Sequence, residues 1–213
     1  MDTRSKNRRI GIDFDNTIVG YDKVFLAAAK ERQLVDERFI GDKRAIRDAV
    51  RLLPDGELKW QRLQGYVYGT GISDAVMFDG LDRFLRRCRC EGHTVMIVSH
   101  KTEYGHFDAN QVKLRQAARS WLTAHGFFQQ SGYGISSNHI FFESTRDEKL
   151  RRIADLACTH FIDDLEEVLS DPSFPSSVAR ILFAERPVAT GDLPYIVCPS
   201  WKHIEKAVLG AHS

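Results

Sequence analysis

The sequence has few cysteines, no excess of charge of one sign and no long apolar run. Its four cysteines among 213 residues form no C-x-x-C pair, which excludes a disulfide framework and a zinc module and fits a reducing compartment. Lys and Arg total 30 against 29 for Asp and Glu, so no net field would hold nucleic acid or an anionic membrane. No stretch approaches the roughly 18 apolar residues of a membrane span.

What remains is an ordinary globular composition. Hydrophobic residues make up 43% and charged residues 28%, a balance that predicts a folded chain able to bury its own core. The basic start is followed by Ile10-Gly11-Ile12, but Asp13 and Asp15 interrupt that run too early for a signal peptide. We therefore expect a soluble, cytoplasmic protein without nucleic-acid or membrane partners, and the pattern indicates no particular oligomeric state.

Short apolar runs alternate with helical patterns along most of the chain. The runs are rich in β-branched and aromatic residues, as buried parallel strands are, and between them apolar residues recur at helical spacing. This alternation predicts an α/β fold, a Rossmann-like three-layer core with a central, mainly parallel sheet between helices. The predicted strands are Ile10–Phe14, Thr94–Ser99, His139–Phe142, His160–Asp163, Arg180–Phe183 and Tyr195–Cys198.

One interval has helical periodicity and no strand pattern. It runs from Tyr21 to Met77 and is too long for a single crossover between two strands. We interpret residues 21–77 as a small all-helical subdomain inserted into an α/β core of residues 1–20 and 78–213. The alternative is a few additional helices of the core itself.

Chemically active residue types follow several of the predicted strands. Asp13 and Asp15 lie two residues apart at the end of the first strand, so both carboxylates point to the same side. Like charges held this close raise a pKa unless a cation separates them, which is typical of a nucleophile, a general acid or a metal site. A helix N-cap beside a solvated loop aspartate would give the same short pattern.

Polar residues at the other strand ends favour the functional interpretation. Because parallel strands bring their carboxyl ends to one edge of the sheet, these residues should meet there. Two pairs of carboxylates, a hydroxyl and an ammonium suit a phosphoryl group bound with Mg²⁺. The motifs are, in chain order, Asp13-x-Asp15-x-Thr17, then Ser99, then Lys149 on a predicted helix, and finally Asp163-Asp164.

These four motifs, in this order on these strands, resemble those of the haloacid dehalogenase superfamily, and the likeness extends from Ile10 to Leu169. The insertion between the first two motifs resembles the family's helical type 1 cap. The resemblance implies that Asp13 is a nucleophile that forms an aspartyl-phosphate and that Asp15 is the acid and base. It further implies that Thr17, Ser99 and Lys149 bind the phosphoryl group, with Lys101 as a rival for the lysine role.

The resemblance also implies a Mg²⁺ site and a reaction class. The metal would be held by the Asp13 carboxylate, the Asp15 backbone carbonyl, and either Asp163 or Asp164. Dehalogenases of the family lack a carboxylate two residues after the nucleophile, so Asp15 favours phosphoryl transfer. We expect an Mg²⁺-dependent phosphatase that acts on a small phosphorylated metabolite. The alternatives are a phosphotransferase such as a sugar-phosphate mutase and a non-catalytic binding module of the same fold.

Substrate contacts are expected from the helical insertion and from the loop after the second strand. Tyr66 and Tyr68 are candidates in the insertion, although packing within it would also explain them. The loop His100–Asp108 is long for a connection between a strand and a helix, and long loops at this edge are often functional. His100 and Lys101 are the candidates there, and an ordinary surface loop is the alternative.

Overall fold

The computed structural model describes residues 7–105, 111–188 and 191–210. The chain divides into two compact units. The first comprises the chain up to Ile18, Met77–His100 and the chain from Gly126 onward, and the second comprises Val19–Val76 and Lys101–His125. The first is an α/β unit and the second is helical.

A six-stranded sheet forms the centre of the α/β unit, and each of its neighbouring strand pairs is parallel. In spatial order the strands are β5, β4, β1, β6, β7 and β8, so β1 lies in the interior between β4 and β6. The bounds are β1 Arg9–Ile12, β4 Thr94–His100, β5 Ile140–Glu143, β6 His160–Asp163, β7 Ala179–Phe183 and β8 Ile196–Cys198. Two short strands, β2 (Val19–Gly20) and β3 (Val76–Met77), form a separate two-stranded sheet.

Helices flank this sheet, as the alternating pattern predicts. Helices α4 and α6 pack on β4, α7 packs on β6 and β7, and α8 packs on β7 and β8. Gly11 in the middle of β1 has a packing reason, because a Cβ there would lie 2.5 Å from the Phe161 ring of β6. The bounds are α4 Leu81–Cys90, α6 Arg146–Asp155, α7 Glu166–Leu169 and α8 Trp201–Leu209, with a short 3₁₀ helix at Ser137–His139. The predicted α/β Rossmann-like fold is confirmed.

The helical unit has a core of its own. Its helices are α1 Asp22–Glu31, α2 Lys43–Arg51, α3 Gly56–Tyr68, the 3₁₀ helix Thr70–Asp74 and α5 Leu114–Ala124. Phe25 stacks on Trp60 with ring centres 5.2 Å apart, and Tyr21 meets Tyr68 edge-on at 4.9 Å. Asp42 caps α2 by accepting a hydrogen bond from the Ala45 amide.

Helix α5 groups with this unit, although the predicted boundary places it in the core with the rest of residues 78–213. The apolar face of α5 packs on α3 and on the 3₁₀ helix, and the Trp121 indole donates a buried 3.0 Å hydrogen bond to the Ala75 carbonyl. A helical period identifies the buried face of α5, but it does not say which neighbour covers that face. The role of the helical unit as a cap stays a prediction.

Two absences can be stated for the described part of the chain. None of its helices is both long enough and apolar enough to cross a bilayer. Its cysteines are all free thiols: Cys88, Cys158 and Cys198 are buried and Cys90 is exposed. The cytoplasmic location stays a prediction.

A buried carboxylate joins α8 to α4. Glu205 is 2% exposed and accepts hydrogen bonds from Arg83 at 2.7 Å and Arg87 at 3.2 Å. Arg87 also donates to the carbonyls of Leu209, the last residue of α8, and of Gly210, which follows it. Burial alone would raise the pKa of Glu205, but the two guanidinium groups outweigh it and lower that pKa. The ionised carboxylate therefore stabilises the docking of α8.

We expect Glu205→Gln to lower the free energy of unfolding by about 1–3 kcal/mol at neutral pH, because a charged hydrogen-bond acceptor is lost from a buried site. Since folding lowers the pKa of Glu205, its contribution is complete above the ordinary glutamate value of 4.5 and is lost as the pH falls through the folded value. Urea unfolding at several pH values measures both effects.

Glu167→Gln is the matched control, because Glu167 is exposed and pairs with Arg146 at the surface. It should cost less than about 1 kcal/mol. A Glu205→Gln loss no larger than that of the control, or one that does not shrink in acid, would contradict the assigned role of Glu205.

Candidate active site

The candidate site lies where three neighbouring strands end. Asp13 directly follows β1, and its amide continues the sheet by donating to the Ile162 carbonyl of β6 at 2.9 Å. Asp163 is the last residue of β6, and Ser99 is the second-last residue of β4 on the other side of β1. All three are at most 5% exposed. The parallel sheet thus brings these predicted residues to one edge.

Lys149 bridges two of the carboxylates. Its Nζ donates to Asp13 Oδ1 and to Asp163 Oδ2, each at 2.6 Å. The lysine is 1% exposed, and its Nζ also lies 5.5 Å from the centre of the Phe161 ring. The second oxygen of Asp163, Oδ1, accepts a hydrogen bond from the Leu165 amide at 3.0 Å. Lys149 therefore contacts two of the predicted acidic residues directly.

Burial and the neighbouring charges both shift the pKa values of Asp13 and Lys149. Burial raises the pKa of Asp13, the nearby charges of Asp163 and Asp15 raise it further, and Lys149 opposes them. Burial would lower the pKa of Lys149, but the carboxylates of Asp13 and Asp163 outweigh it and raise that pKa. Lys149 therefore remains an ammonium ion, whereas the pKa of Asp13 is raised to about 7, so Asp13 takes up a proton more readily than an ordinary aspartate.

The start of helix α6 fixes the position of Lys149. Thr145 and Glu148 form a capping box, in which each side chain bonds the other residue's backbone amide. Lys149 follows directly, so its side chain begins in the first turn of a well-defined helix. His100, at the end of β4, places its Nε2 2.8 Å from the Ser144 carbonyl just before this cap. The helix start is thereby tied to the strand that carries Ser99.

The loop after Asp13 carries the other two residues of the first motif. Asp15 is half-buried and Thr17 is 0% exposed. Between them, Asn16 adopts a left-handed backbone with φ +56°, and the Ile18 amide closes the turn by bonding the Phe14 carbonyl at 3.0 Å. Thr17 Oγ1 lies 3.5 Å from Asp164 Oδ1, a long contact between the first and the last motif.

The acidic residues of the site could hold a cation. Asp13, Asp163 and Asp164 each offer a carboxylate oxygen, and these oxygens lie within 4.8 Å of one another. Carboxylate oxygens are the hard ligands that Mg²⁺ prefers, and one or two of them usually suffice when phosphate oxygens complete the shell. The residues present therefore fit the predicted metal.

The predicted substrate contacts belong to both compact units. His100 is exposed and bonds Ser144, as described above. Lys101, Tyr66 and Tyr68 belong to the helical unit, where the Lys101 Nζ lies 5.2 Å from the centre of the Tyr68 ring. Tyr66 stacks against the Arg32 guanidinium at 3.8 Å. Residues 106–108 of the predicted functional loop lie outside the described residues, and the four substrate assignments stay predictions.

Two supports of the site were missed in the sequence analysis. The capping box before Lys149 was visible, because Thr145-x-x-Glu148 has the spacing of that motif. The contact of Trp201 with the Thr17 carbonyl at 3.1 Å was not visible, since 184 positions separate the two residues.

We expect Lys149→Met to destabilise the protein by about 3–5 kcal/mol, because it leaves Asp13 and Asp163 buried without their cation. Urea unfolding in EDTA measures the loss. Arg146→Met is the control, since Arg146 lies on the same helix but pairs with Glu167 at the surface, where an ion pair contributes about 1 kcal/mol or less. Equal losses in the two variants would contradict the proposed balance of charges.

The fold of this chain is similar to that of several solved structures, although its sequence is not matched. No protein-family model and no curated protein matches the sequence. Among solved structures, the chain is similar to a haloacid dehalogenase family hydrolase from Deinococcus radiodurans with bound phosphate and sodium. The two are 16% identical, the match covers 95% of each chain, and the TM-score is 0.58.

Two further similar structures are titled as different kinds of enzyme. A predicted phosphoglycolate phosphatase from Haemophilus somnus is 15% identical, with 95% of this chain and 98% of that chain covered and a TM-score of 0.56. A dehalogenase is 13% identical, with 98% and 99% covered and a TM-score of 0.59. These likenesses extend over nearly the whole chain, and they show that it has the fold of the haloacid dehalogenase superfamily.

Proposed function

We propose that this protein is an Mg²⁺-dependent phosphatase that hydrolyses a small phosphate monoester through an aspartyl-phosphate on Asp13. The observation that carries the proposal is the buried contact of Lys149 with both Asp13 and Asp163 at the end of the central strands. A nucleophilic carboxylate must carry its charge; burial raises the pKa of Asp13 to about 7, and the ammonium of Lys149 limits that rise. The carboxylate can then attack phosphorus.

In the first half of the proposed reaction, a carboxylate oxygen of Asp13 forms a bond to phosphorus while the bond from phosphorus to the ester oxygen breaks. Asp15 donates its proton to the departing oxygen, so the product leaves as an alcohol. Lys149, Ser99 and Thr17 are the groups available to hold the phosphoryl oxygens, and the lysine would offset their negative charge. Ser99 and Thr17 are buried hydroxyl donors beside Asp13 in the sheet and the following loop.

In the second half, Asp15 takes a proton from water as the water oxygen attacks phosphorus. The bond from phosphorus to Asp13 breaks, phosphate leaves, and both aspartates return to their starting states. Asp15 is near the proposed nucleophile, since its charge contributes to the raised pKa of Asp13. Its half-buried side chain is in a position to exchange protons with a substrate and with water.

Asp13, Asp163 and Asp164 would hold the Mg²⁺ ion, with the Asp15 carbonyl as a further ligand from the family resemblance. When bound, the ion would supply positive charge against the phosphoryl oxygens. Asp163 already binds Lys149 and the Leu165 amide, so its first contribution is to fix the lysine. Asp164 adjoins it at the carboxyl end of β6.

Phosphoryl transfer is favoured over dehalogenation by Asp15. A halide leaves without a proton, whereas an alkoxide needs one, and the first motif supplies a carboxylate at the right spacing for that donation. Phosphate release from 4-nitrophenyl phosphate with Mg²⁺ and with EDTA tests the activity and its metal dependence. Chloride release from 2-chloropropionate tests the competing reaction, and chloride release without phosphate release would contradict the proposal.

We expect Asp13→Asn to lower kcat for 4-nitrophenyl phosphate on the order of a thousandfold or more, because an amide oxygen cannot serve as the nucleophile. Asp147→Asn, an exposed change on α6, should leave kcat unchanged. Steady-state kinetics and a thermal unfolding check measure both variants. Activity of Asp13→Asn within about tenfold of the unsubstituted protein, a barrier change under roughly 1.4 kcal/mol, would refute the nucleophile assignment.

Asp15→Asn should slow hydrolysis by about 10²–10⁴-fold for an alkyl phosphate such as glycerol phosphate. The loss should be smaller for formation of the phosphoenzyme from 4-nitrophenyl phosphate, because nitrophenolate leaves without needing a proton. A burst of nitrophenol followed by slow turnover is therefore expected in rapid-mixing experiments. Equal losses on both substrates, with no burst, would argue against an acid and base at this position.

A further inference from the structure

The loop that follows β1 is anchored by a tryptophan from the far end of the chain. Trp201, the first residue of α8, donates its indole N–H to the Thr17 carbonyl at 3.1 Å. Both residues are 0% exposed. A buried backbone carbonyl must find a donor, and here a side chain supplies it. The bond therefore fixes the loop at a point two residues after Asp15.

The indole is itself held firmly by aromatic packing. The Trp201 ring lies 5.2 Å from the Phe84 ring of α4 and 6.0 Å from the Phe183 ring of β7, measured between ring centres. Gly80 leaves room for it, because a Cβ at Gly80 would lie 3.3 Å from the Trp201 Cβ. The donor is thus packed in the core of the α/β unit, and its hydrogen bond restrains the Thr17 carbonyl.

The loop needs such an anchor because its backbone is strained. Asn16 is left-handed at φ +56°, a conformation that costs most non-glycine residues on the order of 1 kcal/mol or more and costs asparagine less. The strained residue lies directly between Asp15 and the bonded carbonyl of Thr17. If that carbonyl were released, the turn could relax, and the side chains of Asp15 and Thr17 would shift relative to Asp13 and Asp164.

We propose that Trp201 is a positioning residue of the active site. Its indole N–H holds the Thr17 carbonyl, the held carbonyl maintains the left-handed turn at Asn16, and the turn presents Asp15 for proton transfer and Thr17 toward Asp164. This inference rests on the proposed function for its catalytic consequence. The mechanical part, the anchoring of residues 14–18, stands independently of any activity.

The chain contains a matched control for this interaction. Trp121 is 3% exposed, and its indole N–H also donates to a buried carbonyl, that of Ala75, at 3.0 Å. It belongs to the helical unit, whereas residues 14–18 of the loop belong to the α/β unit. Trp121→Phe and Trp201→Phe therefore remove the same kind of hydrogen bond and a similar volume, and they differ in which backbone they release.

Amide hydrogen exchange and kinetics on the two variants test the proposal. In Trp201→Phe, we expect amides 14–18 to exchange at least about tenfold faster and kcat for 4-nitrophenyl phosphate to fall about 10–100-fold, with KM changed less than about threefold. Trp121→Phe should change neither. The split between kcat and KM separates misplaced groups from lost substrate binding.

Equal exchange at residues 14–18 and equal kcat in the two variants would overturn the proposal. If the unsubstituted protein hydrolyses no phosphate ester, the proposed function fails, and the exchange comparison alone decides the anchoring. If Trp201→Phe does not fold, benzothienylalanine at position 201 keeps the ring shape and lacks the N–H. Unchanged exchange at residues 14–18 in that protein would likewise overturn the proposal.

Discussion

One ammonium group placed between two buried carboxylates is the interaction on which the rest of the site depends. Without Lys149, Asp13 and Asp163 would face each other at the ends of adjacent strands with no compensation, and burial would drive at least one of them to its neutral form. With it, two acids can occupy the interior end of a parallel sheet at full burial. The sheet supplies the proximity, and the lysine makes that proximity tolerable.

This arrangement explains why so much local structure surrounds the start of α6. A buried lysine is useful only if its ammonium reaches both acids, and its long side chain has many rotamers to lose. The capping box and the contact of His100 with Ser144 fix the backbone from which that side chain extends. The contact of His100 with the Ser144 carbonyl is therefore a structural role that does not depend on a substrate.

The sheet and its carboxyl edge were predictable, because short apolar runs indicate strands and the polar residues directly after them indicate the strand ends. The six predicted apolar runs overlap the six strands of the central sheet, and Asp13, Ser99 and Asp163 lie at or next to strand ends because parallel strands share one direction. Lys149 could be placed on a helix but could not be chosen over Lys101 by spacing alone. The grouping of α5 with the helical unit, and the contact of Trp201 with Thr17, depend on packing between distant segments, which a periodic pattern does not encode. The substrate contacts of Tyr66 and Tyr68 stay predictions, because a sequence pattern does not separate an aromatic residue that binds a ligand from one that packs in a core.

The bond from Trp201 to Thr17 has a consequence for how the molecule is made. A ribosome synthesises β1 and its loop early, but the indole that completes the loop emerges 184 positions later. Strand β1 likewise waits for β4 and β6 before it becomes an interior strand. A nascent chain can therefore hold every residue of the first motif while lacking the partner that sets its backbone. The proposed chemistry would therefore reach its full rate only after α8 docks and its indole bonds the Thr17 carbonyl.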